Sequence, residues 1–144
     1  MANILVIYQT FGGKTKSLAE AAAAGATSSG AETEVKEATS VGADDLSNID
    51  GVVVATTQSF RSMSGDTKKM FERLWIGRDK IRKGLRLATI VSYMNDAKST
   101  QENMRAIGKN FGFQEAGELA VKTDDVEDGK LRARQLGIAL AQGG

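Results

Sequence analysis

Residues 4–15 read ILVIYQTFGGKT, and this stretch decides the fold class. Its first part, Ile4 to Tyr8, is short, apolar and rich in β-branched side chains, which is typical of a strand buried on both faces. The second part places two glycines and two threonines around the start of a helical pattern at Lys14. A buried strand that leads through a glycine-rich turn into a helix predicts the first unit of an α/β protein.

The same alternation continues along the chain. Further strand patterns lie at residues 32–36, 51–56, 85–93 and 113–121. The helical segments carry apolar stripes, which are Leu18, Ala22, Gly25 and Ala26, then Thr67, Met70, Phe71, Leu74 and Trp75, then Met104, Ile107 and Phe111, and finally Ala133, Leu136, Gly137, Leu140 and Ala141. The patterns predict an α/β fold with a three-layer, doubly wound, five-stranded parallel sheet, in a single domain over residues 1–144.

Composition excludes several kinds of chemistry. The 144 residues contain no His, no Cys and no Pro, and 19 Lys plus Arg balance 18 Asp plus Glu. Without Cys there is no thiolate nucleophile or thiolate zinc site, and without His there is no imidazole base or His-ligated metal. No metal site is therefore expected, and a reactive atom has to come from Asp, Glu, Lys, Tyr or a bound cofactor.

Three loops are candidates for a ligand site, because doubly wound sheets bind ligands at the carboxyl ends of their strands. The first loop, residues 9–15, has glycines for close backbone approach, hydroxyl groups and a helix N-terminus, which together suit a phosphate group. It is not a Walker A loop, because Tyr8 stands where that pattern requires glycine, and it lacks the dinucleotide fingerprint G-x-G-x-x-G. The alternative is a glycine-rich turn with no ligand.

The first loop resembles the phosphate loop of the flavodoxin-like family of FMN proteins, which reads roughly T/S-x-T/S-G-x-T. Thr10, Gly13 and Thr15 match that pattern, and Gly12 departs from it. The resemblance implies FMN as cofactor and strand order 2-1-3-4-5. It also implies that the phosphate is bound by a set of loop residues, which are Thr10, Phe11, Gly12, Gly13, Lys14 and Thr15.

The second loop, residues 56–65, is similar to the family segment G-T-P-T-x-F/Y-G-x-M-S/A-G, which is typical of the NAD(P)H:quinone oxidoreductase branch. Thr56, Phe60, Met63, Ser64 and Gly65 keep the pattern. Thr57 stands in place of Pro and Arg61 in place of Gly. The resemblance implies that the isoalloxazine edge is lined by Thr57, Gln58, Ser59, Phe60, Arg61 and Ser62. Taken alone, Phe60 is as well explained as a loop anchor on the core.

The third loop follows the fourth predicted strand. Tyr93 is expected to stack on the ring or to donate its hydroxyl, and Asn95 to bond a flavin edge. The alternative is a tyrosine that covers the end of the sheet.

Charge is distributed unevenly. Residues 61–86 carry nine basic and three acidic groups, and residues 18–50 carry seven acidic groups and one lysine. Solvated helix faces are the simpler explanation, and a basic rim that steers an acidic partner or a cofactor phosphate is the alternative. Nucleic acid is not expected as a partner, because no aromatic platform accompanies the basic segment.

These observations lead to three hypotheses about function. The first is an FMN-binding electron-transfer protein that serves a redox partner protein. The second is an NAD(P)H-dependent quinone or flavin reductase, and the third is a non-catalytic FMN-binding module. No stretch of the sequence approaches the length of a membrane span or a signal segment, so no membrane partner and a cytoplasmic location are expected.

Overall fold

A computed structural model describes residues 1–143, so that Gly144, the last residue of the predicted domain, lies outside the described part. Ten helices and strands follow one another, which are β1 (Asn3–Tyr8), α1 (Lys14–Ser28), β2 (Glu32–Glu37), β3 (Gly51–Ser59), β4 (Ser62–Met63), α2 (Gly65–Ile76), β5 (Arg86–Tyr93), α3 (Lys98–Phe111), β6 (Gln114–Lys122) and α4 (Val126–Ala141). Short 3-10 turns lie at Ala38–Ser40, Ala43–Leu46, Arg78–Lys80 and Thr123–Asp125.

Five strands form a parallel sheet in the order β2-β1-β3-β5-β6. The predicted order 2-1-3-4-5 is confirmed, since β5 and β6 are the fourth and fifth predicted strands. The predicted five-stranded parallel sheet is also confirmed. The structure adds one short antiparallel strand to it, because β3 continues past Thr56 and reverses into the two-residue strand β4. The reversal at Phe60 and Arg61 has no Asn or Gly, which are the residues that signal such a hairpin in a sequence.

One face of the sheet is covered by α1 and α4, which meet through glycines. A Cβ added to Gly25 would lie 2.0 Å from the carbonyl oxygen of Arg134, and one added to Gly137 would lie 1.9 Å from that of Ala22. Alanines complete this layer, and Ala19, Ala22, Ala26 and Ala133 are fully buried. At Gly25 and Gly137 the two helix backbones therefore lie in direct contact.

The other face is covered by α2 and α3 with long side chains. Met70, Leu74 and Met104 are fully buried, whereas Trp75 is 41% exposed. Trp75, the last residue of the predicted apolar stripe, lies at the surface end of it and packs edge-on against Phe111, with ring centroids 5.2 Å apart. Phe111 in turn stacks on Phe113 at 5.0 Å.

The amino ends of the strands are joined by Asp50. Its carboxylate accepts a hydrogen bond of 2.8 Å from the amide of Asn3 and pairs with Arg82. The Asn3 amide and the Arg82 guanidinium lower the pKa of Asp50 below the usual value. This contact fixes the start of β1 beside the start of β3.

Candidate cofactor site

The first loop connects β1 to α1 and leaves its backbone open. Gly13, at φ 101°, is the N-cap of α1, and no side chain caps the helix. Thr10 Oγ1 accepts a hydrogen bond of 2.9 Å from the Gly13 amide, and nothing lies within 4 Å of the position that a Cβ on Gly12 would take. The amides of the first helical turn have no intrahelical acceptor, so this end of α1 is suited to an anion.

Lys14 and Thr15 leave the loop in different directions. The ammonium of Lys14 donates to the carbonyl oxygen of Thr123 at 2.9 Å, on the exposed side. Thr15 is buried, and its hydroxyl shares hydrogen bonds with Thr57 Oγ1 at 2.9 Å and Ser92 Oγ at 2.7 Å. Thr15 therefore links the start of α1 to the carboxyl ends of β3 and β5.

Gln9, the first residue of this loop, was not among the predicted site residues. It is 4% exposed, and its Oε1 accepts hydrogen bonds from the Thr57 amide at 2.9 Å and the Thr56 hydroxyl at 3.3 Å. These two donors fix the orientation of the carboxamide. Its Nε2 has no partner among residues 1–143. The sequence shows only a polar residue directly after an apolar strand, whereas its burial and the missing partner of Nε2 are seen in the structure.

The second loop is a tight hairpin with an unusual backbone. Gln58 pairs with Met63 and Ser59 with Ser62, so that Phe60 and Arg61 alone form the turn. Both have positive φ, 50° for Phe60 and 64° for Arg61, in a region that costs a side chain about 1–2 kcal/mol. Phe60 is fully exposed, so the interpretation of this residue as a core anchor was wrong.

Gln58 joins the hairpin to the beginning of α3. Its Oε1 accepts a hydrogen bond of 2.7 Å from the Thr100 hydroxyl, and its Nε2 donates to the carbonyl oxygen of Asp96. The Ser99 hydroxyl donates to the carbonyl oxygen of Arg61 at 2.6 Å. The second and third loops are therefore held at a fixed separation.

The third loop presents a different side chain from the expected one. Tyr93 is half-buried and packs against the core between the sheet and the α2 and α3 helices. Met94 is 74% exposed and lines a groove of about 780 Å³. The groove lies between the second and third loops, and its lining includes Gln58, Phe60, Arg61, Met94, Asn95 and Asp96.

The structure thus brings most of the predicted residues to one edge of the sheet. Gln58, Phe60, Arg61 and Asn95 line the groove, whereas Thr57, Ser59, Ser62 and Tyr93 do not. Thr57 is the connection to the first loop, through its hydrogen bond with Thr15. Met94 was missed because it follows a strand that is buried on both faces, with Val91 in one core cluster and Ile90 in the other, so alternation does not mark it as exposed.

The donor set fits a phosphate-bearing flat ligand. Open glycine backbone and an uncapped helix end supply donors for an anion. At the start of the same loop, the buried Nε2 of Gln9 has no protein partner among residues 1–143. The neighbouring groove supplies exposed apolar side chains from Phe60 and Met94. In the described part of the chain, no three His, Cys, Asp or Glu side chains are grouped to hold a metal ion.

The basic segment is partly paired within the molecule. Lys80 pairs with Asp44 at 3.3 Å and Arg82 with Asp50, which joins the basic segment to the acidic one. Lys68 pairs with Glu72, and Arg73, Arg78 and Arg86 donate to backbone carbonyls. Arg61, Lys69 and Lys83 make no ion pair among residues 1–143. Among the described residues, three of the nine cations of this segment are therefore paired with carboxylates, and the other six keep their positive charge unneutralised.

No helix in the described residues combines the length and the apolar character needed to cross a bilayer. The cytoplasmic location stays a prediction.

Comparison with solved structures identifies the fold. The chain superposes on a flavodoxin from the domain Archaea with a TM-score of 0.85 and 19% identity, over 98% of this chain and 97% of that one. The Streptococcus pneumonia TIGR4 flavodoxin gives a TM-score of 0.83 and 21% identity over 99% and 100% of the two chains. Two-electron reduced Megasphaera elsdenii flavodoxin gives 0.84 and 18% over 96% and 98%.

No protein-family profile matches the sequence, and no curated protein matches it. The likeness is therefore one of structure, and it extends over nearly the whole chain and nearly the whole of each of these flavodoxins. Together with the confirmed strand order, it shows that this chain has the flavodoxin-like fold.

Proposed function

We propose that this protein binds FMN and transfers electrons to or from a redox partner protein. The observation that carries the proposal is the adjacency of an uncapped helix N-terminus at Gly13 and a groove with exposed apolar side chains, at the ligand-binding edge of a flavodoxin-like sheet. Flavin, when bound, supplies the electron-transfer chemistry, and the protein orients it and tunes its potential.

The phosphate of FMN would be held by the first loop. The amides that follow Gly13 and the Thr10 hydroxyl are the donors, and Gly12 leaves room for close approach. Lys14, whose ammonium bonds the Thr123 carbonyl, adds positive charge beside the loop. The Thr15 hydroxyl is hydrogen-bonded to Thr57 and Ser92, so Thr15 holds the first loop against β3 and β5. The same hydroxyl can also join the hydrogen bonds to the phosphate. Because these donors are held in place before the ligand binds, less conformational entropy is lost on binding.

The flavin ring would lie in the groove beside Phe60 and Met94. The positive φ of Phe60 and the exposure of its ring cost the free protein folding free energy. Stacking of the flavin ring on this side chain would be a reason for both features. Asn95 and Arg61 line the same groove with polar groups for the ring edge. Gln58 keeps the hairpin and the third loop apart by its bonds to Thr100 and Asp96.

The direct test is titration of the purified protein, freed of any bound flavin, with FMN and with riboflavin. We expect FMN to bind at least about 100-fold more tightly, because several charge-assisted hydrogen bonds are made only to the phosphate. Visible absorption and flavin fluorescence report both titrations. Equal affinity for the two flavins would show that the first loop is not a phosphate site.

The ring position is tested by Phe60→Ala, with Ile76→Ala as a matched control. Both side chains are exposed apolar groups, so neither substitution removes core packing. We expect Phe60→Ala to weaken FMN binding by about 1 kcal/mol, the contribution of one aromatic contact, and Ile76→Ala to leave it unchanged. Equal affinities for the two variants would place the ring elsewhere.

A second candidate is an NAD(P)H-dependent reductase of quinones or flavins. The observation that favours it is the second-loop pattern of Thr56, Phe60, Met63, Ser64 and Gly65. Steady-state oxidation of NAD(P)H by the FMN-loaded protein, with a quinone as acceptor, distinguishes the candidates. A carrier gives no sustained turnover with NAD(P)H but exchanges electrons with a reduced partner protein. A non-catalytic FMN-binding module does neither.

A further inference from the structure

An open apolar groove lies between α2 and α3, away from the proposed cofactor site. It has a volume of about 630 Å³, and its apolar walls are formed by Phe71, Trp75, Ile76, Ile107 and Phe111. Ile76 is 86% exposed and Trp75 41%, so the described chain leaves both side chains uncovered. Single exposed apolar residues are ordinary, whereas a concave group of them marks a surface that another molecule covers.

A second groove continues from the first at the end of α2. It has a volume of about 450 Å³, shares Trp75, Asn110 and Phe111 with the first groove, and adds the cations Arg78 and Lys83. The guanidinium of Arg78 lies over the Trp75 ring, 4.2 Å from its centroid, and donates to the Trp75 carbonyl oxygen at 2.8 Å. The apolar groove therefore ends at a cation that is held in place.

Positive charge is in excess around both grooves. Among the described residues that line the first groove, the carboxylate of Glu72 is paired with Lys68 at 3.0 Å. The second groove sets one carboxylate, Asp79, against Arg78 and Lys83. Over residues 61–86, six cations and two carboxylates remain once the ion pairs of the described chain are set aside. This excess of positive charge favours an acidic partner.

The walls of the first groove favour a helical partner. The lining contributed by α2 runs from Lys68 to Ile76, which is about 12 Å of helix. Because both walls are helices, the groove offers no strand edge to which an extended peptide could bond its backbone. A helix satisfies its own backbone groups and needs only an apolar stripe of about two turns to fill a groove of this length.

Two other occupants suit this surface less well. A second copy of the chain, bound in a symmetric dimer, would bring the same cations of the two copies together. A bilayer surface is flat and would leave the walls of a concave groove uncovered. Charge and shape thus agree on an acidic protein segment.

We propose that the groove between α2 and α3 is a docking site for an acidic amphipathic helix of a partner protein. Apolar side chains of that helix cover Trp75, Ile76 and Phe111, and its carboxylates face Arg78 and Lys83. The proposal does not depend on FMN, because the lining residues of these grooves are separate from those of the cofactor groove.

Three synthetic helical peptides of equal length test the proposal on the full chain. The first has leucines along one face and glutamates on the other, the second has lysines in place of the glutamates, and the third has alanines in place of the leucines. Trp75 is the only tryptophan of the chain, so its fluorescence reports binding at the groove. We expect the acidic leucine peptide to bind at least about tenfold more tightly than the other two at low salt, and its advantage over the lysine peptide to shrink in about 0.5 M NaCl.

Ile76→Ala and Leu131→Ala form a matched pair of variants. Both residues are exposed and apolar, and Leu131 lies on α4, away from the groove. We expect Ile76→Ala to weaken binding of the acidic peptide about fivefold and Leu131→Ala to leave it unchanged. Lys83→Gln should weaken this binding about threefold at low salt and leave it unchanged at high salt, because the lysine acts through its charge.

Several results would overturn the proposal. They are equal binding of the three peptides, no saturable change of Trp75 fluorescence with the acidic peptide, and equal affinities of the Ile76→Ala and Leu131→Ala proteins. Two further results would assign the groove to another occupant. Sedimentation could show a dimer that Ile76→Ala dissociates, or vesicles with phosphatidylglycerol could shift the Trp75 emission to shorter wavelength when phosphatidylcholine vesicles do not.

Discussion

Helices α1 and α4 meet over one face of the sheet by backbone contact, whereas α2 and α3 cover the other face with long side chains. At the first face, the carbonyl oxygens of Ala22 and Arg134 occupy the positions that glycine Cβ atoms would need. At the second face, the aromatic rings of Trp75, Phe111 and Phe113 leave grooves and a cavity of about 260 Å³. At these glycines the first face is closed by backbone, whereas the second face retains a cavity.

The largest effect is expected from Gly137→Ala on the first face. The new Cβ would overlap the Ala22 carbonyl oxygen at 1.9 Å, and backbone on both sides prevents either helix from yielding locally. We expect the free energy of unfolding to fall by about 3 kcal/mol or more. Denaturant unfolding measures it, with Ala139→Gly, in the same helix turn, as a control for helix propensity. A loss below about 1 kcal/mol would contradict the close approach of the two helices.

Phe111→Ala tests how firmly the second face is packed. Phe111 contacts Trp75, Phe71 and Phe113, but it is only half-buried and borders an open groove. We expect a loss of about 2 kcal/mol, below the usual cost of removing a fully buried phenylalanine. Trp75 fluorescence should change in the folded variant, because the edge-on ring is removed. A loss as large as that of Gly137→Ala would show that the two faces are packed alike.

Asp50 belongs to neither face and joins the amino ends of β1 and β3. Its pKa is lowered in the folded state, so its contribution is present above the unfolded-state pKa of about 4 and is lost as the pH falls through the folded value. We expect Asp50→Asn to cost about 1 kcal/mol at pH 7 and nothing near pH 2. Asp79→Asn, in the exposed turn Arg78–Lys80, is the control. A cost that stays constant with pH would exclude the charged contact with Arg82.

Gly108→Ala is the counterpart of Gly137→Ala on the second face, and its effect is expected to be the smallest. The new Cβ would lie 3.0 Å from Leu87 Cδ2, the end of a flexible side chain that lines the cavity and can move into it. Alanine also favours the helix interior by up to about 1 kcal/mol. We expect a gain of about 0.5 kcal/mol in unfolding experiments. A loss like that of Gly137→Ala would mean that the cavity is not free space.

Much of the fold could be predicted because buried parallel strands and amphipathic helices leave strong periodic patterns. The apolar runs at Ile4 and Gly51 and the helical stripe at Leu18 correspond to β1, β3 and α1. The hairpin at Phe60 and Arg61 could not be predicted, because its positive φ values occur without Gly or Asn. That backbone is held by tertiary bonds, including the one from Ser99 to the Arg61 carbonyl.

The loops that form the candidate site could be predicted from the sequence, whereas the individual side chains that line it could be predicted less well. The glycines of the first loop were evident, since composition marks turns, whereas the exposure of Phe60 in the second loop was seen only in the structure. Gln9 and Met94 required the structure. Gln9 is notable because its buried Nε2 has no partner among residues 1–143, and Met94 because its side chain lines the groove beyond the end of β5.

The sequence by itself determined the α/β class, the alternation of strands and helices and, through resemblance, the order of the sheet. It also excluded thiolate and imidazole chemistry, because the chain has no Cys and no His. Only the tertiary structure decided which distant residues meet. Thr15 shares hydrogen bonds with Thr57 and Ser92, which are far from it in the sequence. Likewise, Glu115 and Glu118 line one cavity, and Arg82 forms an ion pair with Asp50. The physical reason is that periodicity records which side chains are buried, whereas contacts between distant residues depend on how strands are ordered and registered.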